Sequence, residues 1–159
     1  MLTLADLTAR HAKPGHVTWI GVRPARRAPP EAVEAAAIRL EGLEGDRRAR
    51  PGKRALTLIQ AEHLPVIAAL AGLDHVDPAM LRRNVAVGGL NLAGLKGRFF
   101  RLGTAILRGT GPCAPCARME EALGHGGYAA MRGHGGLCAE VVEPGTVRRG
   151  DTVMPLDGR

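Results

Sequence analysis

Short apolar runs that end at glycine or proline dominate the chain, and their length and β-branched content predict strands rather than long helices. RALTLIQ alternates apolar with polar positions. VEAAAIRLEG is ambiguous because alanine favours a helix, but its short length and the glycine that follows favour a strand. The predicted strands are HVTWIGVRP (16–24), VEAAAIRLEG (33–42), RALTLIQ (54–60), VAVGG (85–89), RFFRLG (98–103), AILRGTG (105–111), LCAEVVEPG (137–145) and DTVMPL (151–156).

Helical spacing of apolar residues is confined to a few short stretches. In AEHLPVIAALAG (61–72) the apolar positions recur every three to four residues, and Gly72 is positioned to end the helix. DPAMLRRN (77–84) predicts a short helical turn with a proline near its start.

Many short strands with glycine at their ends, together with two or three helices, predict a closed or nearly closed β-barrel with the helices laid on it. An alternating βαβ nucleotide-binding fold would need more long helices than the pattern supplies. We therefore expect a mainly β fold with a few helices, of the α+β class, in one domain over residues 1–159. A chain of 159 residues can bury an ordinary core without a metal or a disulfide.

Composition and charge then disfavour some classes of function. The chain has one Trp, one Tyr and two Phe, so its core must consist of aliphatic residues, and an aromatic platform for single-stranded nucleic acid is not expected. The formal net charge of +7 comes mostly from arginine. Because the arginines are scattered between apolar runs, we interpret most of them as solvated surface, and nucleic-acid binding is the least favoured function.

The sequence also indicates a compartment. Its N-terminus lacks the basic start and unbroken apolar stretch of a secretory signal, and no apolar run is long enough to span a bilayer. We therefore expect a soluble, cytoplasmic protein with no membrane partner. The three cysteines are then expected to be thiols or ligands rather than parts of a disulfide framework.

The most informative stretch is GTGPCAPCARMEEALG (109–124), which places two cysteines ahead of a predicted helix. Met119 and Leu123 are four apart, and the second proline suits the first helical position. Cys116 then falls in the first turn, where backbone N–H groups stabilise a negative sulfur. Cys113 lies outside that turn, so the stretch favours one thiolate with a neighbouring thiol over two equivalent ligands.

Two other interpretations of the cysteine pair stay open. A C-x-x-C pair supplies half of a tetrahedral zinc site, which Cys138, His134 and His125 would complete, but the chain has no second C-x-x-C and no H-x-x-x-H. Cys138 lies in a predicted strand, which is typical of a buried apolar thiol, and the two histidines lie among glycines, which is typical of solvated loops. A thioredoxin-type redox pair would need a βαβ context that the chain does not supply.

Two polar stretches are further candidates for ligand binding. GLEGDRRARPGKRAL (42–56) combines Asp46 with several basic residues, and LRRNVAVGG (81–89) places two arginines and an asparagine at a helix-to-strand junction. Guanidinium groups and an amide at such a junction suit a phosphate or a polar heterocycle. The alternative is that Asp46 only pairs with an arginine or caps a turn.

Taken in order, these stretches resemble the MOSC domain, which is named after the C-terminal part of molybdenum-cofactor sulfurases. The series is GLEGDRR, RALTLIQAEHL, LRRNVAVGGLNLAGLKGRFFRLGTAIL, GPCAPC and GGLCAEVVEPGTVRRGDTV, and it extends over about residues 16–155. The resemblance implies a β-barrel-like MOSC fold. It also implies the molybdenum cofactor (molybdopterin), a pterin dithiolene with a phosphate, and no pyridoxal phosphate.

The resemblance further implies roles for particular residues. Cys116 stands at the family's P-C position and is implied to be the catalytic cysteine whose thiolate joins the molybdenum, a role that suits a soft ligand. Arg82 and Asn84, with Arg83 between them, match the family's R-x-N and are implied to contact the pterin or its phosphate. The implied lining of the same cavity includes Gly45, Asp46 and Arg47.

Relatives of this kind include reductases of N-hydroxylated compounds such as hydroxylaminopurines and amidoximes. The resemblance therefore implies a small-molecule substrate and an external electron donor, namely a ferredoxin, a flavodoxin or a flavin reductase, which basic residues would help to dock. Longer relatives carry an N-terminal β-domain or a C-terminal iron–sulfur domain, for which 159 residues leave no room. The chain is then expected to borrow electrons or to complete its cavity in a homo-oligomer.

Two simpler functions also stay open. In one, Cys116 carries a persulfide sulfur for delivery to a metallocofactor, and Cys113 acts as the resolving thiol. In the other, the protein is a non-catalytic module that holds the cofactor or an anionic ligand.

Overall fold

The computed structural model describes residues 1–47 and 50–156, so Arg48 of the GLEGDRR stretch lies outside the described residues. The strands are β1 Gly15–Val22, β2 Glu31–Ala32, β3 Ala35–Arg39, β4 Gly42–Leu43, β5 Leu56–Gln60, β6 Val85–Gly88, β7 Phe99–Leu102, β8 Ala105–Pro112, β9 Leu137–Glu143, β10 Gly145–Arg148 and β11 Thr152–Pro155. The helices are α1 Leu4–Thr8, α2 His63–Ala71, α3 Arg118–Leu123 and α4 Gly127–Met131, with 3₁₀ turns at Pro78–Leu81 and Leu92–Leu95.

Seven of the strands close into a barrel. Their order is β11-β7-β8-β9-β5-β6-β1, and β1 pairs back onto β11 with Gly15 opposite Val153. β5 and β6 run parallel, with α2 in the connection between them. A small second sheet has the order β10-β3-β4. The prediction of a mainly β fold built on a closed barrel is confirmed.

Two apolar clusters hold the barrel and its helices together. The larger cluster draws buried aliphatic residues and Phe100 from all seven barrel strands. The smaller one joins Ile59 of β5 and Ala86 of β6 to the helices, and it includes Met119 and Leu123 of α3. Because a buried Met or Leu side chain contributes about 1.5–3 kcal/mol, these two residues fix α3, and with it the cysteine-bearing loop, against the barrel.

Most predicted elements are present, and the helix ends follow the expected chemistry. The helix in AEHLPVIAALAG ends at Gly72, which adopts the left-handed conformation (φ 72°) and caps α2. The short turn predicted in DPAMLRRN is the 3₁₀ turn, with Pro78 at its start. The glycine-rich GHGGYAAMRGHGG stretch, interpreted as turns, contains α4, because Ala130 and Met131 are buried there.

Over residues 1–47 and 50–156 no helix combines the length and the apolar character needed to cross a membrane, and α2, with nine residues, is the longest described there.

Candidate functional site

Cys113 and Cys116 lie on the loop between β8 and α3. The helix begins at Arg118 with Ala117 as its N-cap, so Cys116 precedes the first turn. Its carbonyl oxygen accepts a hydrogen bond from the Met119 N–H at 2.9 Å. The prediction that Cys116 lies in the first helical turn is therefore wrong.

The late start of the helix follows from bonds that hold the loop to its neighbours. The Cys113 N–H donates to the Gly136 carbonyl at 2.8 Å, and the Arg83 guanidinium donates to the Ala114 carbonyl at 3.4 Å. The residue before a proline also avoids the helical conformation, which affects Ala114. Pro115 consequently lies in the loop and not at the first helical position.

The Cys116 side chain is exposed and lies near Arg82. Arg82 in turn lies near Arg23, Arg47 and Arg118, and these four residues are hereafter the arginine cluster. Burial lowers the pKa of Arg82, and the positive charges of Arg118, Arg23 and Arg47 lower it further, whereas Cys116 acts in the opposite direction. An accessible thiol therefore lies next to a group of positive charges centred on Arg82.

Arg82 is held in an unusual backbone conformation. Its φ of 58° places it in the left-handed region, and among the described residues Arg27 is the other non-glycine with a positive φ. Such a conformation costs about 1–2 kcal/mol for a residue with a Cβ and is often retained at functional sites. The Arg82 guanidinium donates to the Ala28 carbonyl at 3.1 Å, and the Arg82 carbonyl accepts from the Arg23 guanidinium at 3.3 Å.

Asp46 is paired with Arg23, the buried member of the arginine cluster. Its carboxylate accepts bonds from the Arg23 backbone N–H (2.8 Å), Nε (3.0 Å) and Nη2 (2.7 Å), and both residues are buried. Burial raises the pKa of Asp46, but the hydrogen bonds and the charge of Arg23 outweigh this and leave the pKa below its ordinary value. The carboxylate therefore neutralises Arg23 and orients it, as the alternative interpretation of Asp46 allowed.

The other two residues of the predicted Gly-Asp-Arg corner have simpler positions. Gly45 is exposed in a turn with φ 91°, a conformation that favours glycine. Arg47 is exposed, its N–H donates to the Arg23 carbonyl at 2.8 Å, and it belongs to the arginine cluster. The fold thus brings Arg47 near Arg82, which lies near Cys116.

Arg83 points away from the arginine cluster and joins two loops. Its buried guanidinium donates to the carbonyls of Gly135 (2.8 Å), Leu81 (2.9 Å) and Ala114 (3.4 Å). Its charge acts on Cys113.

The side chain of Asn84 makes its hydrogen bonds inside the barrel wall. Its Oδ1 accepts from the Thr57 N–H (3.1 Å) and hydroxyl (3.2 Å), and its Nδ2 donates to the Gly21 carbonyl (3.4 Å). Of the predicted Arg-x-Asn residues, the fold therefore brings Arg82 to Cys116 and directs the polar atoms of Arg83 and Asn84 elsewhere. Their roles toward a ligand stay predictions.

The contact between Cys113 and Cys138 was not foreseen. Both are buried, and the Cys113 N–H donates to the carbonyl of Gly136, two residues before Cys138, so the two side chains lie on one face of the β8–β9 pairing. The neighbouring Cys138 thiol lowers the pKa of Cys113 to about 6 against the raising effect of burial, with help from Arg83 and Arg54. The pKa of Cys138 is raised by the same contact, because a second negative sulfur beside the first is unfavourable.

A cavity of about 550 Å³ opens on the Cys113 side of the loop. Its wall includes Cys113, Pro115, Leu92 and Leu137, with Lys96 and Arg132 supplying positive charge. The lining residues described there include no carboxylate. A smaller cavity of about 340 Å³ shares the residues Gln60, His63 and Asn91 with it.

Two histidines meet beside this cavity. The rings of His63 and His134 are 4.8 Å apart and nearly perpendicular. Burial lowers the pKa of His63, as does the charge of His134, against the opposing charge of Glu62. Nδ1 of His134 is buried and has no hydrogen-bond partner among the described residues. His134 lies in a loop as expected but is half-buried, so its interpretation as solvated holds only in part, whereas His125 is exposed as expected.

The cysteines of the C-x-x-C pair do not converge on one point. Cys113 is buried beside Cys138, and Cys116 is exposed beside the arginine cluster. Across the described part of the chain, no three His, Cys, Asp or Glu side chains are grouped so that they could hold one metal ion.

The closed barrel with a thiol-bearing loop and an arginine cluster defines the class of protein. The model of the MOSC domain matches residues 27–154, and the chain belongs to the MOSC domain family. This family is associated with binding of the molybdenum cofactor. None of the curated proteins matches the chain.

Solved structures share the same fold. The YuaD protein from Bacillus subtilis is similar over 91% of this chain and 96% of its own, with a TM-score of 0.75 and 18% identity. YiiM from Geobacillus stearothermophilus is similar over 91% of this chain and 76% of its own (TM-score 0.73, 17% identity). YiiM from Escherichia coli is similar over 91% and 71% (TM-score 0.70, 22% identity).

Proposed function

We propose that this protein binds a molybdenum cofactor through the thiolate of Cys116 and reduces N-hydroxylated small molecules with electrons from an external donor. One observation carries the proposal, namely the exposed Cys116 thiol beside the arginine cluster. Among the described residues, Arg47, Arg82 and Arg118 form no ion pair with a carboxylate. Their charge is therefore free to meet an anionic ligand.

The chemistry of these groups fits the cofactor. A thiolate is a soft ligand that suits a metal already bound by sulfur, and guanidinium groups bind phosphate through charge-assisted, often bidentate hydrogen bonds. The strained backbone of Arg82 adds support, because the fold retains an unfavourable conformation at this position.

The cofactor, when bound, supplies the two-electron chemistry that reduces an N–O bond. The chain's own residues supply the rest. Cys116 holds the metal, Arg82 and Arg118 hold and orient the anionic part of the ligand, and Asp46 keeps Arg23 in place. The exposed Arg47 and the half-buried Arg82 and Arg118 offer positive charge for docking an acidic donor such as a ferredoxin, a flavodoxin or a flavin reductase.

Metal analysis tests the binding step. We expect protein purified from cells supplied with molybdate to contain about one molybdenum per chain, as a single-site ligand set requires. Cys116→Ser should lose the metal, and the matched control Cys113→Ser should keep it. Equal loss from both substitutions, or zinc in place of molybdenum, would contradict the assignment of Cys116.

Turnover tests the reaction step. We expect the molybdenum-loaded protein to oxidise a reduced viologen dye when hydroxylaminopurine is added, and Cys116→Ser not to do so. If the molybdenum-loaded protein reduced neither hydroxylaminopurine nor an amidoxime, the reductase function would be excluded. The protein would then be a non-catalytic module that binds the cofactor.

The sulfur-carrier alternative receives less support. It required Cys113 to resolve a persulfide on Cys116, but Cys113 is buried and shares a face of the β8–β9 pairing with Cys138, whereas Cys116 is exposed. Cyanide-releasable sulfur on metal-free protein would revive this alternative.

A further inference from the structure

We propose that Cys113 and Cys138 form a second reactive site, a thiol pair that a hydroperoxide entering the cavity oxidises to a disulfide. This site is separate from the Cys116 site, and its test does not depend on molybdenum. The inference starts from the contact between two buried sulfurs and from the cavity beside one of them.

The cavity gives a small oxidant access to a sulfur that bulk solvent barely reaches. Cys113 is only 3% exposed, yet it lines a space of about 550 Å³. A water molecule occupies roughly 30 Å³ in the liquid, so hydrogen peroxide fits with ample room. Pro112, Pro115 and Leu137 make much of the wall apolar, which also suits organic hydroperoxides.

Positive charge and a thiol donor favour the reactive form of Cys113. The Arg83 guanidinium is fixed by three backbone carbonyls and acts on the sulfur together with Arg54. The neighbouring Cys138 thiol acts in the same direction, and together these groups lower the pKa of Cys113. A thiolate, not a thiol, is the nucleophile in such reactions.

The position of Cys138 makes it the partner in the second step. β8 and β9 are paired with Gly111 opposite Cys138, and the Cys113 N–H is bonded to the Gly136 carbonyl. The two side chains therefore lie on the same face of neighbouring chain segments, diagonally across the pairing. Cys116 lies on the other side of the loop, beside the arginine cluster.

The reaction balances with a hydroperoxide as the oxidant. The Cys113 thiolate attacks the O–O bond of hydrogen peroxide, which gives a sulfenic acid and a hydroxide ion that takes up a proton to form water. Oxidation removes the negative charge of Cys113, the neighbour that raises the pKa of Cys138. Cys138 then loses its proton, its thiolate attacks the sulfenic sulfur to form the disulfide, and the displaced hydroxide takes up the proton as a second water. Two thiols lose two electrons, the peroxide gains them, and a small-molecule thiol reverses the change by thiol–disulfide exchange.

Peptide mapping of the full-length, metal-free protein after treatment with hydrogen peroxide tests the proposal. We expect a Cys113–Cys138 cross-linked peptide in the wild type and in Cys116→Ser, and its loss on addition of dithiothreitol. In Cys138→Ser we expect a sulfenic acid on Cys113, trapped by dimedone.

Other outcomes would overturn the proposal. They are a Cys113–Cys116 disulfide, oxidation of Cys116 alone, or three reduced cysteines under a large excess of peroxide. The wild-type and Cys116→Ser maps decide the matter even if a substitution at Cys138 prevents folding, because neither sample alters the pair. Cumene hydroperoxide should oxidise the same pair, and its failure to do so at any concentration that oxidises Cys116 would exclude entry through the apolar cavity.

Discussion

The two sides of one loop give cysteines three residues apart entirely different surroundings. Cys116 is exposed, and its neighbour is Arg82, the centre of the arginine cluster. Cys113 is buried, and its neighbours are a second thiol, the fixed guanidinium of Arg83 and an apolar cavity. C-x-x-C spacing alone therefore does not create one site, because β8 holds the first cysteine against β9 and the chain then turns toward α3.

The charges on the two sides also differ in how they are held. Arg47 is exposed and Arg82 and Arg118 are half-buried, so the field of these three arginines is screened by salt within about 8–10 Å. Arg83 is buried and bonded to three carbonyls, so its field on Cys113 is fixed. The Cys116 side is therefore suited to binding an exchangeable anion. The Cys113 side is suited to keeping the pKa of one sulfur low. The following predictions test this difference, in order of decreasing effect.

The largest effect, a loss of stability, is expected from Asp46→Asn, which removes the carboxylate partner of the buried Arg23 guanidinium. Breaking a buried ion pair typically costs about 3–5 kcal/mol, because the remaining charge is uncompensated. We expect a loss of this size in the free energy of unfolding, measured with urea. The matched control is Glu44→Gln, which removes an exposed pair with Arg39 and should cost less than about 1 kcal/mol. Equal losses would contradict the structural role of Asp46.

The same ion pair gives stability a defined pH dependence. The pKa of Asp46 is lower in the folded protein than in the unfolded chain, so its contribution is fully present above the unfolded value and is lost as the pH falls through the folded value. We expect the difference in urea midpoint between wild type and Asp46→Asn to shrink steadily in acid. A difference that stays constant down to the acid limit would contradict the lowered pKa.

The next effect concerns the Cys113 side, where a loop is packed against the backbone of Cys113. A Cβ added at Gly135 would overlap the Cys113 carbonyl oxygen, whereas at Gly111 it would meet nothing within 4 Å. Overpacking typically costs about 1–3 kcal/mol, so Gly135→Ala should lower the free energy of unfolding by about this amount and Gly111→Ala should change it little. Similar values for both variants would show that the loop moves freely away from Cys113.

Much of this fold follows from local sequence pattern. Short β-branched runs predicted the barrel strands, and a glycine predicted the end of α2. β10 was missed because its residues follow a proline and carry arginine. α4 was missed because its glycines indicate turns, although burial of Met131 in the second core cluster stabilises a helix there.

The site was harder to predict because it depends on pairings between distant parts of the chain. A bulge between Gly109 and Gly111 sets the register that brings Cys138 toward Cys113, and no local pattern encodes it. The sequence did identify Cys116, Arg82 and Arg47 as candidates, and the fold brings them together. The position of Cys116 outside the helix depends on bonds made by Arg83, which are also non-local.

A smaller effect is expected when the arginine cluster loses one charge. Arg82→Gly relieves the left-handed backbone and removes the guanidinium, so stability should change by less than about 1 kcal/mol. Affinity for pyrophosphate, measured by calorimetry, should fall about tenfold, which is typical of one lost charge-assisted hydrogen bond. Arg39→Ala removes the same formal charge elsewhere, and an equal fall in that variant would mean that the binding is unspecific.

The smallest effect is expected on the pKa of Cys113 when the exposed charge of Arg54 is removed. In a Cys116→Ser background, the rate of Cys113 labelling by iodoacetamide should rise with pH and reach half its maximum near pH 6, because the thiolate is the reactive form. The groups that act on this sulfur are Cys138, Arg83 and Arg54. Since Arg54 is exposed, Arg54→Met should move the half-point only slightly upward, and added salt should reduce the difference. In Cys116→Ser protein with Arg54 intact, a half-point near that of an ordinary thiol would contradict the lowered pKa of Cys113.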